Sequence, residues 1–248
     1  MPGSAITLDR ACELARTGDL WLFRGRSGAD RAIRSLTNAP VNHVGMALVV
    51  EDLPPLMWHA ELGRSLPDVW SGTHQRGVQL HDLRAAVLQW GHRYGQRGWL
   101  RQLSGPVSRE MEDAALRTVA RLDGTPFPST VRLAGRWLRG RAPRLRLPTA
   151  LPISLPIPLP IPLRRPDGDA PAPEGADRRD RALETAYCAE VVALTYQEMG
   201  LLTEGRRPSW YDPGRFWSGD ELGLAEGFAL GGEVEVVLPP GPRADAGG

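Results

Sequence analysis

Between Leu147 and Pro162 proline falls at nearly every second position: Leu-Pro-Thr-Ala-Leu-Pro-Ile-Ser-Leu-Pro-Ile-Pro-Leu-Pro-Ile-Pro. Proline lacks an amide hydrogen and its ring clashes with the preceding turn, so neither a helix nor a central strand can pass through this run. Polyproline II or disorder remains. The stretch 168–180 that follows is polar, charged and Pro-rich. The 248 residues are therefore read as one domain in two pieces, 1–139 and 181–238. Residues 140–180 form a disordered Pro/Arg-rich insertion between them, and 239–248 a disordered tail.

The two flanking pieces carry clear periodicities. Thr7 predicts a cap for a short helix with Leu8, Ala11, Cys12 and Ala15 on one face, closed by Gly18. Asp19 to Phe23 reads as a buried strand, Ala29 to Leu36 as a short helix, and His43 to Val50 as a second strand. Asp52-Leu53-Pro54-Pro55 makes a turn, and Leu56 to Glu61 a third strand. Short links between successive strands favour an antiparallel meander. Further strands are expected at Gly77–Leu80, Trp99–Leu103 and Gly232–Leu238, and a helix over Ser108–Leu122 capped by Ser108. Ser209 to Phe216 is a loop rich in aromatic residues, Pro and Gly. The sum is an α+β chain.

Composition narrows the chemistry. Net charge is +1, so no global field selects nucleic acid, and all thirty basic residues are arginine. Two cysteines, Cys12 and Cys188, are too few for a disulfide scaffold or a cysteine-based zinc site. Met1-Pro2-Gly3-Ser4 lacks the basic and apolar regions of a signal peptide, and no run of about 18 apolar residues exists. A cytoplasmic, reduced protein is the expectation.

Cys188 opens the apolar-periodic run that ends at Gly200. With Thr185 as cap, it lies in a first helical turn, where exposed N–H groups and the helix dipole favour thiolate and can bind an oxyanion. A lone cysteine at a helix start is more often a small core residue, on a stripe with Val191, Val192 and Thr195. Cys12, on the first helix's apolar stripe, is read that way. The difference at Cys188 is a partner upstream. His43 heads a strand beside Gly45, where an imidazole has room to act as base. A third group normally orients such a ring. His59 and Glu61, on the third strand, share the face of His43. A hairpin around 51–55 pairing Val50 with Leu56 would bring Glu61 the nearer.

The order Gly18-Asp19-Leu20-Trp21-Leu22-Phe23, then His43-Val44-Gly45, then Tyr187-Cys188-Ala189-Glu190-Val191-Val192 resembles the circularly permuted papain-like cysteine hydrolases. These are the permuted amidase branch of the superfamily that includes NlpC-type peptidases and lecithin:retinol acyltransferase-like proteins. Gly77-Val78-Gln79-Leu80, Gly124-Thr125-Pro126-Phe127 and Gly200-Leu201-Leu202 are similar to further family segments. The resemblance spans roughly 17–130 and 182–236. It implies a permuted papain-like fold whose antiparallel sheet packs on the cysteine-bearing helix. It implies Cys188 as nucleophile, His43 as base, and His59, followed by Ala60, as the third residue, with Glu61 in reserve. The family's Cys-Ser-Glu-Leu is Cys188-Ala189-Glu190-Val191 here, a loss of serine that leaves the chemistry intact.

The expected activity is a thiol hydrolase or acyltransferase acting on a peptide-like or lipid amide or ester through a thioester, without cofactor. The alternative is a catalytically silent binding module of the same fold. His74, His81 and His92 stand in loop-like sequence without the short spacings of a zinc site, so no metal is expected. No glycine-rich phosphate loop is present. Arginines around Trp137 and beside the apolar Pro-rich run make 131–166 a candidate for peripheral contact with anionic membrane.

Overall fold

A computed structural model describes residues 4–26, 39–126, 187–202, 205–218 and 222–241. The expected helix at Ala29–Leu36, the Thr185 cap, Phe127, the insertion 140–180, the segment 131–166 and the tail from 242 lie outside the described residues.

A seven-stranded sheet organises the fold. Its strands are β1 (Ala5–Thr7), β2 (Leu20–Arg24), β3 (His43–Leu48), β4 (Leu56–Glu61), β5 (Gly77–Asp82), β6 (Arg97–Arg101) and β9 (Val234–Val237). The spatial order is β1-β9-β6-β2-β3-β4-β5, and β7 (Leu103–Ser104) and β8 (Ala229–Leu230) form a separate pair. β2 through β5 pair as an antiparallel meander; among the described residues only β1 on β9 runs parallel. The helices are α1 (Leu8–Leu14), α2 (Leu83–Leu88), α3 (Arg109–Leu122) and α4 (187–198). A π-helical turn, Gln89–Arg93, continues α2.

The caps sit where the sequence puts them. Thr7 Oγ1 accepts from Arg10 N, and Ser108 Oγ accepts from Met111 N. Each satisfies an amide that has no partner inside its helix. Strand β5 runs two residues further than expected, the strand expected at Trp99–Leu103 is divided between β6 and β7, and β1, β8 and α2 are additions to the sequence reading. Asp82, at the end of β5, caps α2 by accepting from Ala85 N.

The hairpin register differs from the one expected. Leu48, not Val50, pairs with Leu56. Asp52 takes a left-handed conformation (φ 68°), and Leu53 N closes a turn on Val50 O, so the loop consumes two more residues. Two consecutive prolines supply no amides to tighten it.

The sheet is covered on both faces, which explains why β2 and β3 read as nearly continuous apolar runs. One face carries Leu22, Val44, Met46, Trp58, Ala60 and Val78, packed with Ala115 and Val119 of α3 and Cys188, Val191 and Tyr196 of α4. The other carries Trp21, Phe23, Ala47 and Met57, packed with α1, α2 and Trp90. Two bonds tie α4 to its face: Trp58 Nε1 donates to Thr195 Oγ1 at 3.0 Å, and Tyr196 Oη donates to Gly18 O at 2.5 Å.

Candidate functional site

Strand parity places the polar side chains of β3, β4 and β5 in the layer under α2 and the π-helical turn. His43, His59, Glu61, Gln79 and His81 all occupy odd positions, alternating with the apolar even ones. His43 stacks on Trp90, ring centroids 3.8 Å apart. Gly45 makes room for this layer, because a Cβ there would press on Met57 and approach His59.

The imidazoles form a chain. His43 Nε2 lies 3.0 Å from His59 Nδ1, and His59 Nε2 lies 3.0 Å from His81 Nδ1. His81 Nε2 reaches Gln79 Oε1 at 3.1 Å, while Gln79 Nε2 donates to the Glu61 carbonyl at 3.2 Å. Burial pushes His43 down to about 3 and His81 down to about 4. Burial, aided by its two imidazole neighbours, holds His59 well below the usual range. All three are therefore neutral, and each carries one N–H.

The network assigns the protons. Because the Gln79 amide nitrogen must donate to the Glu61 carbonyl, its oxygen faces His81, so His81 carries hydrogen on Nε2. His81 Nδ1 then accepts from His59 Nε2–H, and His59 Nδ1 accepts from His43 Nε2–H. The lone pair left at the end of the ladder is on His43 Nδ1. That atom is buried without a hydrogen-bond partner.

Glu61 sits at the side of the ladder. Its Oε1 accepts from Tyr94 Oη at 3.1 Å, and Oε2 lies 3.9 Å from His59 Nε2 and 3.8 Å from His81 Nδ1. Burial raises its pKa, and the Tyr94 and Trp90 donors oppose that shift. His59, rather than Glu61, is the residue whose side chain touches His43.

Cys188 is the second described residue of α4 and has no exposed surface. It packs in the layer against the opposite face of the sheet, with Val44 and Trp58. The structure thus brings His43, His59 and Glu61 together and adds His81 and Gln79. It makes no hydrogen bond between Cys188 and His43 Nδ1. Cys12 is half-buried, and burial pushes its thiol up to about 11.

The loop placement expected for His81 is corrected: it lies on β5, with Gln79 paired opposite His59. A search for ligands at short spacing along the chain misses such a cluster, because neighbouring strands bring distant positions together. The alternation of Val78 and Leu80 with Gln79 and His81 was the available signal. His74 and His92 are exposed.

No protein-family model matches the chain, and no curated protein matches it. Among solved structures, the crystal structure of metalloprotein YiiX from Escherichia coli O157:H7 is similar, with a TM-score of 0.34 and 21% identity. The match covers 47% of this chain and 54% of that one, so the chain spans about half of that protein's length. Among the described residues no helix is long and apolar enough to cross a membrane.

Proposed function

We propose that the chain is a cysteine-dependent hydrolase or acyltransferase of circularly permuted papain-like architecture. Cys188 is the nucleophile, His43 the base and His59 the group that orients the base. The observation that carries this reading is the direction of the imidazole ladder, which leaves His43 Nδ1 as a neutral acceptor with nothing bound to it. A general base needs that protonation state and a ring held in place. Trp90 and His59 supply the hold.

In the proposed reaction the Cys188 proton passes to His43 Nδ1 and the thiolate adds to an amide or ester carbonyl. Amide nitrogens at the start of α4 stabilise the oxyanion. The C–N or C–O bond breaks, His43 returns the proton to the leaving group, and a thioester remains. Water, an amine or an alcohol then adds to the thioester, giving its proton through His43 and releasing the thiol. Peptide-like and lipid acyl groups are the substrate classes, with 131–166 a proposed membrane contact for the latter.

A second reading has its own support: a binding module without catalysis. Cys188 is buried against the other face of the sheet, and catalysis needs Sγ within hydrogen-bond reach of Nδ1. Catalytic hydrogen bonds commonly tighten only with substrate bound, so reactivity separates the two readings. Iodoacetamide labelling at neutral pH, in a Cys12→Ala background, compares His43 with His43→Ala. Fast labelling of Cys188 that His43→Ala abolishes is expected. Slow labelling indifferent to His43 would sink the enzyme reading and leave the binding module.

A further inference from the structure

We propose that His59 Nε2, His81 Nδ1 and Glu61 Oε2 form a binding site for one divalent transition-metal ion of zinc-like preference. The three atoms are separated by 3.0, 3.8 and 3.9 Å. A circle through points so spaced has a radius of about 2.1 Å, which matches zinc–imidazole and zinc–carboxylate bond lengths of roughly 2.0–2.2 Å. An ion at its centre therefore lies at bonding distance from all three donor atoms.

The surroundings are those of a metal centre as well. Each donor residue has its remaining polar atom held by a neighbour: His81 Nε2 by Gln79, His59 Nδ1 by His43, and Glu61 Oε1 by Tyr94. Outer partners of this kind orient ligands for a metal. His59, Glu61 and His81 are only 1%, 2% and 2% exposed. Among the described residues, the ion-pair-distance neighbours of the buried Glu61 carboxylate are these two imidazoles. A cation held between them would pair directly with that buried carboxylate. Gly63 fits the same picture, because a side chain there would strike Glu61 Oε1. Two imidazoles with one carboxylate select zinc-class ions over calcium or magnesium, which take oxygen donors.

The ion and the His59–His81 hydrogen bond exclude each other, since His59 Nε2 cannot hold both a proton and a metal. With the ion bound, the His59 proton sits on Nδ1 and is donated to His43 Nε2. The His43 proton must then occupy Nδ1. On the reading of His43 as base, which this consequence rests on, the ion removes the lone pair that accepts the Cys188 proton. Metal occupancy therefore switches the thiol off.

The test uses the full chain, stripped with a chelator and titrated with Zn2+ against a chromophoric chelator. Wild type and Cys188→Ser should each bind one ion per chain. Binding should weaken at least tenfold in Glu61→Gln and vanish in His81→Ala. Co2+ should give the visible bands of a low-coordinate nitrogen–oxygen site, and Zn2+ should raise the Tm of wild type but not of Glu61→Gln. If His81→Ala does not fold, Glu61→Gln carries the comparison. No stoichiometric binding by folded wild type, or equal binding by the variants, overturns the site. Zn2+ should also slow Cys188 alkylation in wild type and not in Glu61→Gln. Binding without slowing overturns the switch and leaves the site standing. Labelling that never depends on His43 overturns the thiol reading and leaves the binding result intact.

Discussion

Gln79 turns its side-chain oxygen to His81 Nε2, 3.1 Å away, and is locked in that orientation by donating its amide nitrogen to the Glu61 carbonyl. One amide thereby sets the proton on three imidazoles in series. Removing it leaves the buried His81 N–H without an acceptor. Gln79→Leu should cost about 1–3 kcal/mol, the usual penalty for an orphaned buried donor. Urea unfolding at pH 7.5 measures this, and a change under about 0.5 kcal/mol would mean that the ladder is not fixed from its Gln79 end.

Acid should unfold this protein early. His43, His59 and His81 have folded pKa values depressed below the ordinary 6.5 by burial. Below pH 6.5 the unfolded chain binds protons that the folded one refuses, so stability is fully present above 6.5 and lost as pH falls. Each group contributes about 1.4 kcal/mol per pH unit, so three reach up to about 4 kcal/mol per unit between pH 6 and 5. Glu61 and Asp19 are shifted upward by burial and act in the opposite sense, favouring the fold below the ordinary carboxylate range. Urea midpoints at pH 7.5, 6.5 and 5.5 check the slope, and a flat series would show that the imidazoles are not buried neutral.

Trp90 roofs the site, stacking on His43 and donating to Glu61 Oε2 at 3.4 Å. Trp90→Ala should destabilise by about 3–5 kcal/mol through the cavity it opens. Trp90→Phe keeps the ring contact and loses only the long donation, for about 1 kcal/mol. Thermal melts of both variants should separate by the difference. Equal losses would show that the hydrogen bond, not the stacking, holds the roof.

The docking of α4 rests on Thr195, which accepts from the fully buried Trp58 Nε1. Thr195→Val keeps the shape and strands that donor, at an expected cost of about 1–3 kcal/mol. Denaturant unfolding followed by tryptophan fluorescence measures it. An unchanged midpoint would mean that Trp58 finds another acceptor, and α4 is not fixed by this bond.

The meander was legible residue by residue. His43–Leu48 and Leu56–Glu61 lie inside or match their expected bounds because apolar periodicity and turn residues are local properties. The Thr7 and Ser108 caps were legible for the same reason. Helix α2 was not, since six residues offer barely more than one turn of pattern and its cap, Asp82, doubles as the end of a strand.

The site divides along the same line. From sequence alone come His43, His59 and Glu61 on one face of an antiparallel pair, because side-chain parity follows from strand assignment; that His59 and not Glu61 touches His43 came from the structure. Only the tertiary structure decided that His81 joins them, because that depends on the pairing of β4 with β5 across fifteen intervening residues, a register no local pattern encodes. Only the tertiary structure, too, decided which face of the sheet receives the Cys188 helix. Each face carries a buried apolar cluster, one of them interrupted by the imidazole layer, and α4 is tied to the uninterrupted one by specific partners such as Trp58 with Thr195 and Gly18 with Tyr196.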